Sequence, residues 1–598
     1  MVGKSKDKKQ VSEWDSTNEF EFDVMASSLV YKPKQTQSTV FATSSSAEFA
    51  VPTIHERTNT QATRRRRIHN DDPGSTRAMG KNELLILSSK PMWAYPRRAA
   101  LVMLFLTYII LFAVAVSMLV NTPPCPTNNN WYELGIGYQI LPRSFRDSNG
   151  DGIGDINGIK EKLSYLKDIG VSIIWLGSVS QTPYQDLGYD VSNFIEIDPM
   201  IGTSEDFKNL VDEIHKQGAF YMLSSDVLHY WLSQNVDGFF LRHVNSIFES
   251  NELNRDEPVN PIYYTYDNET QILKSYEELS HIYTRDQQEV YQLLKTWRSV
   301  MQEYETMAGD GESVRKLLVV DVNGSNLTET LKYSTEGMAD YAFNYALYGS
   351  LSGTVLASKI EEWLRVKPEG SITSWSIGSA DNHRIMSRYN YISKAMMTLL
   401  LTLPGSAVLY YGDEIGMTDI PVTHTISRDP KIFEINETYD NLINNISRDA
   451  ARSPMQWSSN INAGFSDANS ENLWLPINSN YIDVNAEVRN LTYLKCLRDL
   501  VSLRGKRTFK TDQLRILRAQ KDVLTYAREL IGYPTYFVAI NLADFKILDR
   551  YYLHNTDLYG VSEIGTVVFN TNGEIGNSVD IRNLTLEADQ ALIVEFTK

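Results

Sequence analysis

From Ala99 to Val120 the chain reads AALVMLFLTYIILFAVAVSMLV, 22 residues without a charge. As a helix this stretch spans roughly 33 Å, enough to cross the hydrocarbon core of a bilayer. It lacks the polar face of a buried core helix and lies too far along the chain for a cleaved leader, so it predicts a transmembrane helix. From Trp131 onward short apolar runs alternate with amphipathic stretches: LGIGYQI, IKEKLSYLKDIG, SIIWLG, EDFKNLVDEIHKQG, AFYML, DVLHYWLSQ and GFFL. Strand followed by helix, repeated, predicts parallel βαβ units. The later runs LLVV, SWSIG and SAVLYYG extend the series towards eight strands and favour a closed (β/α)8 TIM barrel over an open sheet. After a helix around Asn490 to Arg504 the pattern shortens to VLTYAREL, TYFVAINL, GTVVFN and ALIVEF, which predicts a C-terminal antiparallel β-sandwich.

These patterns divide the chain. Residues 1–98, rich in Ser, Thr, Lys and Gln and without a sustained apolar period, read as a mostly disordered tail. The helix takes 99–120, a Pro- and Asn-rich neck 121–130, the α/β barrel 131–505 and the all-β domain 506–598. Arg64 to Arg67, Arg77, Lys81, Arg97 and Arg98 precede the span, and NTPPCPTNNNWYELG after it has no Lys or Arg. This asymmetry predicts a cytoplasmic N-terminus, a type II orientation and contact of the arginine run with anionic lipid. Seven N-x-S/T acceptors, Asn268, Asn323, Asn326, Asn436, Asn445, Asn490 and Asn583, all follow the span, as a glycosylated lumenal ectodomain requires.

Composition adds exclusions. With 42% apolar and 22% charged residues, 598 residues suit a multidomain folded protein. The net charge of -17 argues against nucleic acid as a partner. Cys125 and Cys496 are the only cysteines, too few for a disulfide framework or a zinc site of the usual spacing. Cys496 sits at helical spacing from Tyr493 and Leu500, which predicts burial on a helix face. Cys125 lies in an extracellular neck between Pro124 and Pro126 with no plausible internal partner, and predicts intermolecular pairing or a free thiol.

The stretches YQILPRSFRDSNGDGIGDINGIKEKLSYLKDIGVSIIWL, LGYDVSNFIEIDPMIGTSEDF, LPGSAVLYYGDEIGM and ARSPMQW resemble the α-amylase superfamily of glycoside hydrolases, in its oligo-1,6-glucosidase and maltase branch. The resemblance runs from about Tyr138 to Pro476 and implies a retaining glycosidase fold. Such an enzyme needs a carboxylate nucleophile and a carboxylic acid about 5 to 5.5 Å apart. The family's nucleophile motif, GFRxD at the end of the fourth strand, reads GFFLR here, placing Phe240 at the family's Arg and Arg242 at its nucleophile. A guanidinium stays protonated and cannot attack carbon. The acid position at the end of the fifth strand is Asp321, one methylene shorter than the family's Glu. The seventh-strand motif reads GSAD, keeping Asp381 but replacing the sugar-contacting His by Ala380. The third-strand motif is eroded to LSSDVLH, with Ser224 in its first acidic position. Catalysis is therefore not expected. Arg242 is expected to neutralise Asp321 and Asp381, since the alignment sets all three at neighbouring strand ends.

Asp186 and Tyr189 match sugar-binding positions of the family and leave weak residual carbohydrate binding as a secondary expectation. The domain that the enzymes insert between the third and fourth strands is absent: AFYMLSSDVLHYWLSQNVDGFFL leaves room for one helix. The loop DSNGDGIGD supplies Asp147, Asn149, Asp151, the carbonyl of Ile153 and Asp155, resembles the calcium loop of the glucosidase branch and implies structural calcium, the alternative being an Asp/Gly turn held by its own hydrogen bonds.

An inert, membrane-anchored ectodomain of this kind is similar to the heavy subunits of heteromeric amino-acid transporters, the rBAT and CD98 heavy-chain type, and closer to the CD98 type because the inserted domain is gone. The resemblance implies a plasma-membrane location and a disulfide from Cys125 to a polytopic light subunit whose folding, stability or surface delivery the chain supports. A membrane-tethered α-glucosidase and a stand-alone surface receptor or adhesion glycoprotein are the competing readings.

Overall fold

The computed structural model describes residues 22–27, 80–121 and 132–596, without 178, 217–224, 252–253, 261–277, 308–312, 323–326, 350, 369, 390, 434–439 and 550–563. The chain divides into two compact units, Lys32–Thr127 and Met1–Tyr31 with Asn128–Lys598.

In the first unit a short helix, Lys81–Ser88, precedes a long one, Pro91–Asn121. The long helix starts eight residues before the charge-free stretch, so Arg97 and Arg98 lie within it. An uncharged run marks only the part of a helix that hydrocarbon would accept; backbone hydrogen bonding continues into the interface, where arginine heads can snorkel to water. Pro91 occupies the first helical position, where a missing N–H costs nothing. Pro91–Ser117 has a mean hydropathy of 2.8 over its most apolar window, none of it buried by the rest of the protein. By length and composition this helix can cross a membrane. The short helix also departs from the expectation of a tail without structure.

The second unit holds an eight-stranded sheet in the order Tyr341–Ala342, Leu317–Val320, Gly238–Leu241, Phe22–Ser27, Ile173–Leu176, Ile136–Ile140, Ser406–Tyr410 and Ser374–Ser376. Ser374 Oγ donates to the Ala342 carbonyl at 3.4 Å, tying the two end strands together. Except for Phe22–Ser27, neighbours run parallel, with Tyr138 opposite Ile174 and Phe240 opposite Val319. These strands are buried along their whole length, which explains why IIWL, GFFL and LLVV show no polar alternation. Helices complete the α/β layer. In Ser204–His215 the buried residues Phe207, Leu210, Val211 and Ile214 fall on one face, and Thr203 and Asp206 close its N-terminus as a capping box.

The third strand position differs from the sequence expectation. The predicted strand AFYML lies outside the described residues, and Phe22–Ser27 fills the slot antiparallel to both neighbours. This short FDVMAS run was hidden because a segment dominated by polar residues surrounds it.

The C-terminal domain is a six-stranded antiparallel sheet, Leu514–Ala519, Val523–Arg528, Thr535–Asn541, Ala591–Phe596, Ile564–Asn570 and Ser578–Asp580. Among the described residues the second layer of the predicted sandwich consists of Ile547–Asp549 paired with Leu584–Leu586. Residues of one sheet face, Ala527, Phe537, Ala539 and Val594, join Ile581, Leu584 and Leu586 in a core of their own. Tyr526, Val538, Ile540 and Ile593, alternating with them, belong to the barrel core, and Tyr526 pairs its hydroxyl with Thr402 of the helix Ser393–Thr402 at 2.5 Å. Both faces are therefore covered, and a second full sheet is not needed.

Candidate functional site

The parallel strands deliver their last residues to one end of the barrel, where such folds place their sites. Arg242 follows Gly238–Leu241, Asp321 follows Leu317–Val320, and Asp381 lies five residues beyond Ser374–Ser376. The three meet at one wall of a cavity of about 760 Å³ that Asp186, Tyr189 and Arg448 also line. Arg242 Nη2 bonds to Asp381 Oδ2, and Arg242 Nε lies 3.5 Å from Asp321 Oδ2. Arg242 is 8% exposed and Asp321 2%, so this bridge is shielded from solvent.

Two arginines that sequence reasoning passed over complete the cluster. Arg452 Nη2 lies 2.6 Å from Asp381 Oδ1, and its Nε donates to the Ala380 carbonyl at 2.9 Å. Arg448 Nη2 bonds to Asp186 and also lies 2.7 Å from Asp429 Oδ1. Tyr189 stands among all three guanidinium groups, with Arg242, Arg448 and Arg452 at 5.5, 5.2 and 5.0 Å from its ring centroid. Its hydroxyl donates to Asp381 Oδ1 at 2.5 Å. The signal for Arg452 was present in ARSPMQW, where it is the charged member; Arg448, four residues earlier, carried no motif of its own.

Electrostatics follow from this packing. Burial by itself would raise the Asp381 pKa, but Arg242 and then Arg452, with the Tyr189 hydroxyl, overcome it and hold the carboxyl well below the usual range. Burial opposes the charge on Arg452 too, and Tyr189 and Asp381 outweigh it to push its pKa well up. Asp381 and Arg452 are thus both charged at neutral pH. His243 is driven the other way, since burial and then Arg242 lower its pKa and favour the neutral ring. Tyr345 donates to Asp321 Oδ2 at 2.8 Å, and burial followed by the Asp321 charge lifts its own pKa well above 10.0.

Phe240, at the family's Arg position, turns into the barrel instead. Its ring lies 4.9 Å from Trp175 and 5.4 Å from Phe343, and Phe343 lies 4.9 Å from Tyr345. Aromatic packing therefore fills space beneath the arginine bridge. At position 242 the side chain offers only hydrogen-bond donors. Asp381 and Asp186, which in a glycosidase-type cleft would accept sugar hydroxyls, are engaged by arginines.

A second buried pair lies close by. Asp413 sits against Gly378, where an added Cβ would fall 2.1 Å from Asp413 Oδ2, and Arg384 Nη1 is 3.8 Å from Oδ1. Burial raises the Asp413 pKa to about 7 despite Arg384. The folded protein therefore holds a proton that the unfolded chain releases, so this group's contribution to stability falls as pH rises from about 4 to 7. Asp413→Asn is expected to flatten that part of the profile, and thermal melts of both proteins at pH 5 and pH 8 check it.

The remaining site expectations divide clearly. Ser224, Cys125, Asn268, Asn323, Asn326 and Asn436 lie outside the described residues. Asn445 falls in the helix Asp440–Ile446, whereas Asn490 and Asn583 are exposed. Cys496 is a free, half-buried cysteine in Lys495–Arg504, and burial raises its pKa.

The expected calcium loop closes on itself. Asp147 accepts from the N–H groups of Asn149, Gly150 and Gly152 and from the Ser466 hydroxyl. Asp151 accepts from Ile153 N–H, and Asn149 Oδ1 from Asp151 N–H. Asp155 accepts from Ser148 and caps the helix Ile156–Glu161 through Gly158 N–H. Among the described residues no group of three or more His, Cys, Asp or Glu is placed to hold a metal ion. The side-chain oxygens of Asp147, Asn149, Asp151 and Asp155 thus accept from local donors, as in an Asp/Gly turn. A turn held by these bonds alone predicts no change in melting temperature on adding EDTA, whereas structural calcium predicts a calcium-dependent rise that Asp151→Ala abolishes.

An α-amylase-type (β/α)8 barrel with a charge-filled mouth is thus defined. The family model "Alpha amylase, catalytic domain" matches residues 139–224 and 220–512, and the chain belongs to that family. Residues 67–138 match "Solute carrier family 3 member 2 N-terminus". The human protein named amino acid transporter heavy chain SLC3A1 is 28% identical, over 86% of this chain and 85% of its own. Maltase 1 of Drosophila virilis is 30% identical over 70% of this chain and 79% of its own. The solved structure of the alpha-glucosyl transfer enzyme XgtA superposes with a TM-score of 0.66 at 21% identity, covering 79% of this chain and 100% of that one.

Proposed function

We propose that this chain is the non-catalytic heavy subunit of a heteromeric amino-acid transporter, anchored in the plasma membrane in type II orientation and linked through Cys125 to a polytopic light subunit. One observation carries the reading: a segment similar to the solute carrier N-terminus leads directly into an amylase-type barrel whose nucleophile position is an arginine bound to both remaining carboxylates. The barrel supplies a folded extracellular body and the helix a membrane anchor. One helix cannot enclose a solute path with two gates, so transport itself belongs to the other chain.

The orientation rests on the basic residues before the helix and on the acceptor asparagines after it. A single crossing at Pro91–Ser117 puts residues 22–27 and the barrel on opposite faces of the membrane. The pairing of Phe22–Ser27 with the barrel and a single crossing at this helix exclude one another.

The enzyme reading is tested on purified full-length protein with maltose and aryl glucosides. No turnover above blank is expected. Turnover abolished by Asp381→Ala would overturn the non-catalytic assignment.

A further inference from the structure

Leu491 and Ile461, at 83% and 78% exposed, are more open to water than the large apolar residues described in the bilayer-length helix, whose maximum is Met92 at 74%. Ile482 and Val488 are also exposed. Asn485, itself buried, ties their segments together. Its Nδ2 donates to Ser459 Oγ at 3.1 Å and to the Ile482 carbonyl at 3.2 Å, and its Oδ1 accepts from Val488 N–H at 2.9 Å. Ile461 follows Ser459 by two residues and Leu491 follows Val488 by one helical turn. Four exposed aliphatic side chains on segments joined through Asn485 mark either a contact or a liability.

The sequon Asn490-Leu491-Thr492 lies within this region. Asn490 is exposed, and its Oδ1 is held by Arg498 Nη2 at 2.8 Å, while Arg498 Nε donates to Asp168 Oδ2 at 2.9 Å. This clamp uses the amide oxygen and leaves Nδ2 as the atom for modification. We propose that Asn490 carries an N-linked glycan whose inner sugars cover Ile461, Ile482, Val488 and Leu491. The sugar comes from a lipid-pyrophosphate-linked oligosaccharide: an Nδ2–C1 bond forms, the C1–O bond to the pyrophosphate breaks, and the amide proton lost from Nδ2 is balanced by the departing lipid pyrophosphate. Sugar rings present C–H faces that pack on aliphatic side chains and hydroxyls that face water. The Arg498 bond to Oδ1 survives the linkage and sets the direction in which the glycan leaves.

The inference rests on the lumenal placement of the ectodomain, and the experiment separates the two. The full chain is expressed in eukaryotic cells, mapped by mass spectrometry after endoglycosidase treatment, and sized in detergent. Asn490→Gln and Thr492→Ala should each remove one glycan and raise the self-associated fraction several-fold, and Leu491→Ser in the Asn490→Gln background should lower it again. Glycans elsewhere with Asn490 bare would overturn the site alone, and a glycan at Asn490 whose loss leaves the protein monodisperse would overturn its covering role. Absence of glycan from every sequon would overturn the lumenal placement instead.

Discussion

Replacement of Arg242 by leucine is expected to cost about 3 kcal/mol of folding stability, the lower end of the range for removing one partner of a buried ion pair. The loss comes less from the bond to Asp381 than from the carboxylates left behind. Asp321 is almost fully buried and would keep the Tyr345 hydroxyl as its polar contact. Asp381 would keep Arg452 and Tyr189, which is why the upper end of the range is not reached. Arg242→Lys should recover part of the loss, because an ammonium restores charge but cannot bridge two carboxylates as a planar guanidinium does. The pH dependence gives an independent check. Asp381 has a depressed pKa in the fold, so its contribution is present above the unfolded carboxylate range and lost as pH falls through the folded value. The deficit of Arg242→Leu should therefore be largest above about pH 5 and narrow towards pH 3, as measured by urea unfolding. A variant as stable as the parent at pH 7 would show that the bridge contributes nothing.

Cys125→Ser is expected to abolish a reduction-sensitive, higher-mass band on non-reducing gels, an all-or-none effect. Cys125 lies five residues beyond Val120 and is flanked by Pro124 and Pro126. Five residues of chain reach at most about 18 Å, so the thiol stays near the membrane surface. Cys496, the other cysteine, is half-buried in a barrel-packed helix with a raised pKa, and a thiol in that state is a poor partner for exchange. Cys496→Ser should accordingly leave the band intact. A monomer in both lanes of the parent protein would contradict the linkage.

Much of this architecture is legible in the amino-acid sequence. Continuous apolar runs such as IIWL and LLVV suit strands buried on both faces, and motif alignment alone brings Arg242, Asp321 and Asp381 to strand ends at one rim of the barrel. The partners are harder to see. Arg452 reaches Asp381 across 71 residues of sequence and Arg448 reaches Asp186 across 262, and no local period encodes such contacts. The loop DSNGDGIGD is ambiguous in a different way, because the Asp and Asn spacing that suits a cation equally suits turns in which side chains accept local N–H groups. The reduced second layer of the C-terminal domain is hidden because its covering comes from a barrel helix, Ser393–Thr402, more than 100 residues upstream.

The heavy-subunit assignment stands or falls on what Cys125 holds. The full chain is purified from membranes in detergent under non-reducing conditions, and the species released by reduction is identified by mass spectrometry. A polytopic amino-acid transporter is expected, recovered with the parent protein and missing with Cys125→Ser. Recovery of the chain alone, or linked only to a second copy of itself, would contradict the assignment.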